Sequence, residues 1–154
     1  MILHFVCRGN SFRSIIAEAY VNSLGIKDLS VLSSGTTAEL DKARNLAYYR
    51  LTLDLLERHG IREFAKVDYG DQLTQSRLEK ADITICMNQR VYDESMRCVT
   101  FPASPRIWSV ADIGEPGRIS AAESVRRLYR EEAYQEIVKN VDRLISDVIC
   151  SKPI

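Results

Sequence analysis

The chain has 154 residues, 45% hydrophobic and 27% charged, with 21 Lys plus Arg balanced by 21 Asp plus Glu. That profile predicts one globular domain over residues 1–154 and argues against a nucleic-acid binder with a strongly basic footprint, leaving room only for a local patch. No apolar run approaches the ~20 residues that cross a bilayer, so no membrane association is expected.

The opening segment Ile2 to Val6 is a buried-strand candidate, too short and without the basic flank of a signal peptide. A cytoplasmic location is the corresponding expectation. Ser14 to Leu24 predicts a helix stopped by Gly25, and Leu29 to Ser33 a second strand. Ala43, Ala47, Leu51 and Leu55 recur every four residues, a helix face that ends near Gly60. Ile83 to Met87 predicts a third strand and Cys98 to Phe101 a fourth. Ser120-Ala121-Ala122-Glu123 has the form of a capping box, with Ser at N-cap and Glu at N3. Ile137, Val138, Val141, Leu144, Ile145 and Val148 then mark a long amphipathic helix. Short apolar runs alternating with helical stretches predict an α/β fold with an open parallel sheet.

Four cysteines (Cys7, Cys86, Cys98, Cys150) lack CxxC spacing, which points to neither a zinc site nor a disulfide framework. Only His4 and His59 are available, so a histidine-rich metal site is excluded.

Open parallel sheets bind ligands beyond the carboxyl ends of their strands. The segment after the first strand reads Cys7-Arg8-Gly9-Asn10-Ser11-Phe12-Arg13-Ser14, a C-x5-R-S pattern between strand and helix. A loop wrapping into a helix N-terminus turns backbone N–H groups inward, making residues Arg8 through Ser14 an anion site. Gly9 is free to take a positive φ, and Asn10 tolerates that region better than most residues. Arg13 offers a planar fork for two phosphate oxygens. Cys7 sits in the same positive field, which favours the thiolate, and the Ser14 hydroxyl is placed to donate to it. A lone cysteine at a strand end is ordinarily a small buried hydrophobe. The joint pattern at this position in the fold is far more specific.

These residues resemble the low-molecular-weight protein tyrosine phosphatase family, and the resemblance covers nearly the whole chain. It continues through Ala17-Glu18-Ala19, Ser33-Ser34-Gly35-Thr36, Gln72-Leu73-Thr74, Ala81 to Met87 and Asp112-Ile113-Gly114-Glu115-Pro116. It implies a flavodoxin-like sheet of about four strands, order 2-1-3-4, with helices on both faces. It also implies phosphomonoester hydrolysis through a phosphocysteine, without metal or organic cofactor. Cys7 would be the nucleophile, Arg13 the oxygen clamp, and Asn10, Ser14 and Ser33 the supports of the loop. Phosphorylated protein side chains are the implied partners, with phosphate and related oxyanions as inhibitors. Chain departures from the family pattern are Phe12 for a second cysteine, Ile15 for proline, and Asp68 or a neighbour for a loop-supporting histidine. Gly117 and Arg118 stand where some members carry adjacent tyrosines.

The resemblance puts the general acid immediately before Pro116, which selects Glu115 where the family has Asp, with Asp112 the alternative. Phosphotyrosine is the expected substrate class, with Tyr48 and Tyr49 as candidate rim residues, although adjacent helix residues cannot share one face. Ser11, a small hydroxyl residue, resembles the protein-arginine phosphatase branch, whereas Arg8 disfavours a cationic substrate. Thiol-based arsenate reduction is the less favoured alternative, because Cys86, Cys98 and Cys150 lack the close pairing of a relay. A catalytically weak phosphate-binding module is the remaining reading.

Overall fold

The computed structural model describes residues 1–150. Four parallel strands, β1 (Ile2–Cys7), β2 (Ser30–Gly35), β3 (Ile83–Cys86) and β4 (Arg106–Ile107), lie in the order β2-β1-β3-β4. β1 is therefore central, and its neighbours are reached by crossovers in opposite directions. Cys7 pairs in register with Gly35 at the carboxyl end of the sheet. This is the topological switch point at which such sheets bind ligands.

Alternation along β1 divides the interior into two cores, as a period of two requires. Leu3, Phe5 and Cys7 join α1 (Arg13–Ser23) and α6 (Glu123–Cys150) through Ile15, Ile16, Ala19, Ile137 and Val141. Val6 on the opposite face packs with Leu78, Cys86, Val91 and Val99 from the side of α3 (Gln75–Glu79) and α4 (Gln89–Ser95). Helices thus cover both faces. Burying each large aliphatic side chain contributes on the order of 2 kcal/mol. α1 ends as expected, with Gly25 at φ +60 just past its C-cap. α2 (Lys42–Arg58) starts at Asp41, whose carboxylate accepts from Arg44 N.

Two expectations are corrected. Cys98 to Phe101 is not a strand. There Val99 N bonds back to Ser95 O, Thr100 N donates to Gln75, and Val99 and Phe101 cap the α3–α4 core. The apolar run is consumed by packing, and the ladder passes to Arg106–Ile107, too short and exposed to show a strand pattern. Ser120 does not cap the long helix. Pro116, with φ preset for a first helical turn, opens α5 (Pro116–Ile119), and Ser120 is its C-cap. α6 instead begins at Glu123, with Arg126 N bonded to Ala122 O. Glu123 is drawn into ion pairs with Arg126 and Arg130 rather than reaching back to Ser120.

Candidate active site

The loop between β1 and α1 forms the floor of a cavity of about 210 Å³, lined by Cys7, Arg8, Gly9, Ser11, Phe12 and Arg13. Its walls come from three other segments: Leu40 and Asp41, then Arg44, Asn45 and Tyr48 of α2, then Asp112, Ile113 and Gly114. Phe12 is the N-cap of α1 and provides no side-chain cap, so the first-turn donors of that helix meet no capping oxygen. The N–H groups of Gly9, Asn10, Ser11 and Phe12 likewise donate to no protein acceptor among the described residues. Such a row of donors at a helix N-terminus suits an oxyanion.

Cys7 is buried, and its Sγ lies 3.0 Å from Ser14 Oγ. Arg13, only 3% exposed, is held at both ends of its fork. Nη1 donates to Val110 O at 3.0 Å, and Nη2 lies 3.2 Å from Asp112 Oδ2. A planar guanidinium so fixed presents its remaining donors in one orientation.

Asn10 takes the left-handed conformation, φ +47, whereas Gly9 does not. The permissive backbone expected of Gly9 is therefore supplied by Asn10. Gly9 is needed for space, because a Cβ there would collide with Asn45 Oδ1. Gly35 has the same role from β2, where a Cβ would strike Arg8 O and approach Asn10 N to 2.7 Å.

Asn10 is the hub that fixes this shape. Its Nδ2 donates to Ser14 Oγ and Ser33 Oγ, both at 2.9 Å. Its Oδ1 accepts from Lys66 Nζ at 2.7 Å and Asp71 N at 2.9 Å. The sequence reading named Asn10, Ser14 and Ser33, and the structure brings these three together. It missed Lys66, Asp71 and Glu18. Lys66 lies two residues from Asp68, where a support was sought, and pairs with Asp71 at 2.9 Å. Glu18 accepts from Ser33 Oγ, and its pKa is raised chiefly by burial. Only the Ala17-Glu18-Ala19 block hinted at it.

Arg8 is tied away from the cavity centre. Its Nε donates to both oxygens of Glu94 at 3.1 Å, and Glu94 also accepts from Thr36 Oγ1 at 2.8 Å. Burial works to raise the Glu94 pKa, but the Thr36 hydrogen bond and the charges of Arg8 and Arg90 hold it below the ordinary carboxylate value. The loop carbonyls are braced by Thr36 N to Cys7 O and Thr37 N to Arg8 O.

The two acid candidates separate. Asp112 lines the cavity beside Arg13, while Glu115 is exposed at the N-cap of α5 and is absent from the cavity wall. The adjacent tyrosines separate too. Tyr48 lines the cavity, with the Arg44 guanidinium 5.6 Å from its ring centroid. Tyr49 is core, stacked on Tyr69 and donating to Lys66 O. Cys86 is fully buried, and burial pushes its pKa up to about 12. No group of three or more candidate metal ligands occurs among the described residues.

A thiol beneath a row of backbone donors, clamped by one arginine at the switch point of a parallel sheet, defines the class of cysteine-dependent phosphate-ester enzymes. The sequence profile of the family described as "Low molecular weight phosphotyrosine protein phosphatase" matches residues 2–147, and the chain belongs to that family. Its members hydrolyse phosphomonoesters. No curated protein sequence matches the chain. Similar solved structures include a low-molecular-weight phosphotyrosine phosphatase from Vibrio cholerae (TM-score 0.68, 16% identity, 100% of this chain and 99% of that one). A Drosophila arginine phosphatase is equally similar (TM-score 0.68, 16% identity, 99% and 100%). An arginine phosphatase from Geobacillus stearothermophilus follows (TM-score 0.58, 17% identity, 99% and 98%). At these identities the likeness shows the fold. No described helix is long and apolar enough to cross a membrane.

Proposed function

We propose that this protein hydrolyses phosphotyrosine in proteins through a phosphocysteine at Cys7. One observation carries the reading: Cys7 Sγ, hydrogen-bonded to Ser14, shares one cavity with the fixed Arg13 fork and the Asp112 carboxyl. The thiolate attacks phosphorus, the S–P bond forming as the bond to the leaving oxygen breaks. Loop N–H groups and Arg13 hold the three equatorial oxygens, whose charge is the main object of stabilisation. Asp112, in its protonated form, gives its proton to the departing phenolate, and the carboxylate left behind takes the proton of the water that cleaves the S–P bond. This reading moves the acid three residues upstream of Glu115, to the only one of the two carboxyls that lines the cavity. Residues Arg8 to Ser14 provide the phosphate cradle, and Asn10, Ser14 and Ser33 hold its shape. Inorganic phosphate and vanadate are the corresponding inhibitors.

Tyr48 supports an aromatic substrate, giving the phenyl ring a flat wall beside the mouth. Arg44 also lines the cavity and opposes a cationic group there; Arg8, neutralised by Glu94, does so less than its sequence position implied. A second reading, phosphoarginine hydrolysis, is supported by Ser11, a buried hydroxyl residue in the cavity wall, and by the arginine phosphatases among the similar structures. Cys86 is disfavoured as the resolving thiol of an arsenate reductase by its burial and raised pKa, since such a thiol must be reachable and readily ionised, which leaves the exposed Cys98 as the thiol to test for that reading.

The test is turnover of p-nitrophenyl phosphate by the wild type and Cys7→Ser, followed by kcat/KM on matched phosphotyrosine and phosphoarginine peptides. Cys7→Ser should be inactive yet still bind vanadate, and Arg13→Lys severely impaired. Turnover by Cys7→Ser contradicts the mechanism, and a strong preference for phosphoarginine rejects the substrate class.

A further inference from the structure

Tyr48 and Ile113 also line a second cleft of about 180 Å³, so the two cavities adjoin across a shared wall. Leu51 and Ile119 supply its apolar surface, and Arg126 and Arg130 its charge. Glu123 is the single carboxylate in the lining, and both guanidiniums use it. Arg126 Nη2 lies 3.0 Å from Glu123 Oε2, and Arg130 Nη2 pairs with Oε1. One carboxylate against two guanidiniums leaves a net positive charge. A third guanidinium, Arg118, stacks 4.4 Å from the ring centroid of Tyr129, which also lines the cleft.

The hydrogen-bonding capacity of Arg126 is only partly used. Its Nε is buried and has no partner among the described residues, and its Nη1 meets Ile119 O at 3.5 Å, the long limit of a hydrogen bond. With Nε enclosed, the donors that Arg126 can offer to an entering carboxylate are those at the outer end of its half-exposed guanidinium. Arg130, in contrast, is 7% exposed and fixed by Glu123. The cleft therefore combines a rigid cation, an adaptable half-exposed one, and an apolar floor.

We propose that this cleft is a substrate subsite that binds an acidic side chain, Asp or Glu, near the phosphorylated residue of the target protein. The inference rests on the phosphatase reading of the Cys7 site. A phosphoresidue inserted beside Tyr48 carries its flanking chain across the shared wall, which brings a neighbouring carboxylate to Arg126. Selectivity then arises from charge complementarity outside the reacting group.

The experiment compares kcat/KM on phosphopeptides that differ only in carrying Glu, Ala or Lys on either side of the phosphoresidue. Both phosphotyrosine and phosphoarginine sets are used, with p-nitrophenyl phosphate as the substrate that has no flanking chain. The Glu peptide should exceed the Ala peptide by about fivefold, the scale of a partly exposed ion pair. Arg126→Ala should erase that preference and Arg126→Glu invert it towards Lys, with p-nitrophenyl phosphate turnover unchanged in both. Equal rates on Glu and Lys peptides, or a preference that survives both substitutions, overturn the subsite while leaving the phosphatase reading intact. Failure of the wild type on every substrate removes the phosphatase reading, and the subsite with it.

Discussion

Replacing Asn10 tests how the phosphate cradle is held. Its side chain makes four hydrogen bonds, to Ser14, Ser33, Lys66 and Asp71, and the residue is fully buried. Three of these bonds are between neutral partners, at ~1 kcal/mol each, and the one from the Lys66 ammonium is worth ~2 kcal/mol. Asn10→Ala should therefore lose about 5 kcal/mol of interactions, less whatever water entering the gap restores. Alanine also has to hold φ +47, which costs ~1–2 kcal/mol more. Asn10→Gly removes the same bonds but not the conformational freedom, so the two variants should differ by ~1–2 kcal/mol in urea unfolding. Both should lose kcat on p-nitrophenyl phosphate, because Ser14 and the loop amides no longer have a fixed position relative to Cys7. An Asn10→Ala protein within 1 kcal/mol of the wild type by the ~1 kcal/mol-per-bond scale, with kcat unchanged, would refute the hub.

Three further outcomes follow from the same geometry. Asp112→Asn should lower kcat on phenyl phosphate by ~10²-fold or more, with a smaller loss on p-nitrophenyl phosphate, and remove the high-pH limb of the rate profile. Glu115→Gln should leave both rates within about twofold, as surface substitutions do; the reverse pattern returns the acid to Glu115. Gly35→Ala should destabilise by about 1–3 kcal/mol in urea unfolding and reduce phosphate affinity, since its Cβ would press on Arg8 O and Asn10 N. His4, fully buried against Ser34, has its pKa lowered from 6.5 to about 4 by burial and by the charges of Arg77 and Lys66. A depressed folded pKa gives stability that is present above 6.5 and lost as pH falls towards 4, at most about 3 kcal/mol. Urea unfolding from pH 7 to 4.5 should show this loss in the wild type and a much smaller one in His4→Gln.

Features fixed by local chemistry were legible in the sequence. The continuous apolar run of β1, the glycine-stopped α1 and the C-x5-R-S segment between them place the cradle at the switch point without any long-range information. Features set by tertiary competition were not. Val99 and Phe101 have strand-like composition, yet the α3–α4 core takes them, and β4 forms from two exposed residues. Ser120 and Glu123 have capping-box spacing, but Pro116 claims Ser120 for α5 and two arginines claim Glu123. Lys66 is distant in sequence from the loop it supports, and Glu18, one helix turn beyond Ser14, joins it only through Ser33 of β2, a contact that no spacing rule gives. Which carboxyl faces the cavity depends on the path of the loop before α5, which spacing from Pro116 does not set. Pro116 starts a helix that carries Glu115 to the surface, leaving Asp112 at the mouth.

The claim on which the rest depends is that phosphate is carried transiently by Cys7. Rapid acid quench during p-nitrophenyl phosphate turnover, followed by peptide mass mapping, measures this directly. One phosphoryl group on the peptide containing Cys7, absent in Cys7→Ser and accumulating in Asp112→Asn as water attack slows, is the predicted result. Sustained turnover with no phosphoryl group on Cys7, or with Cys7 replaced, would contradict it.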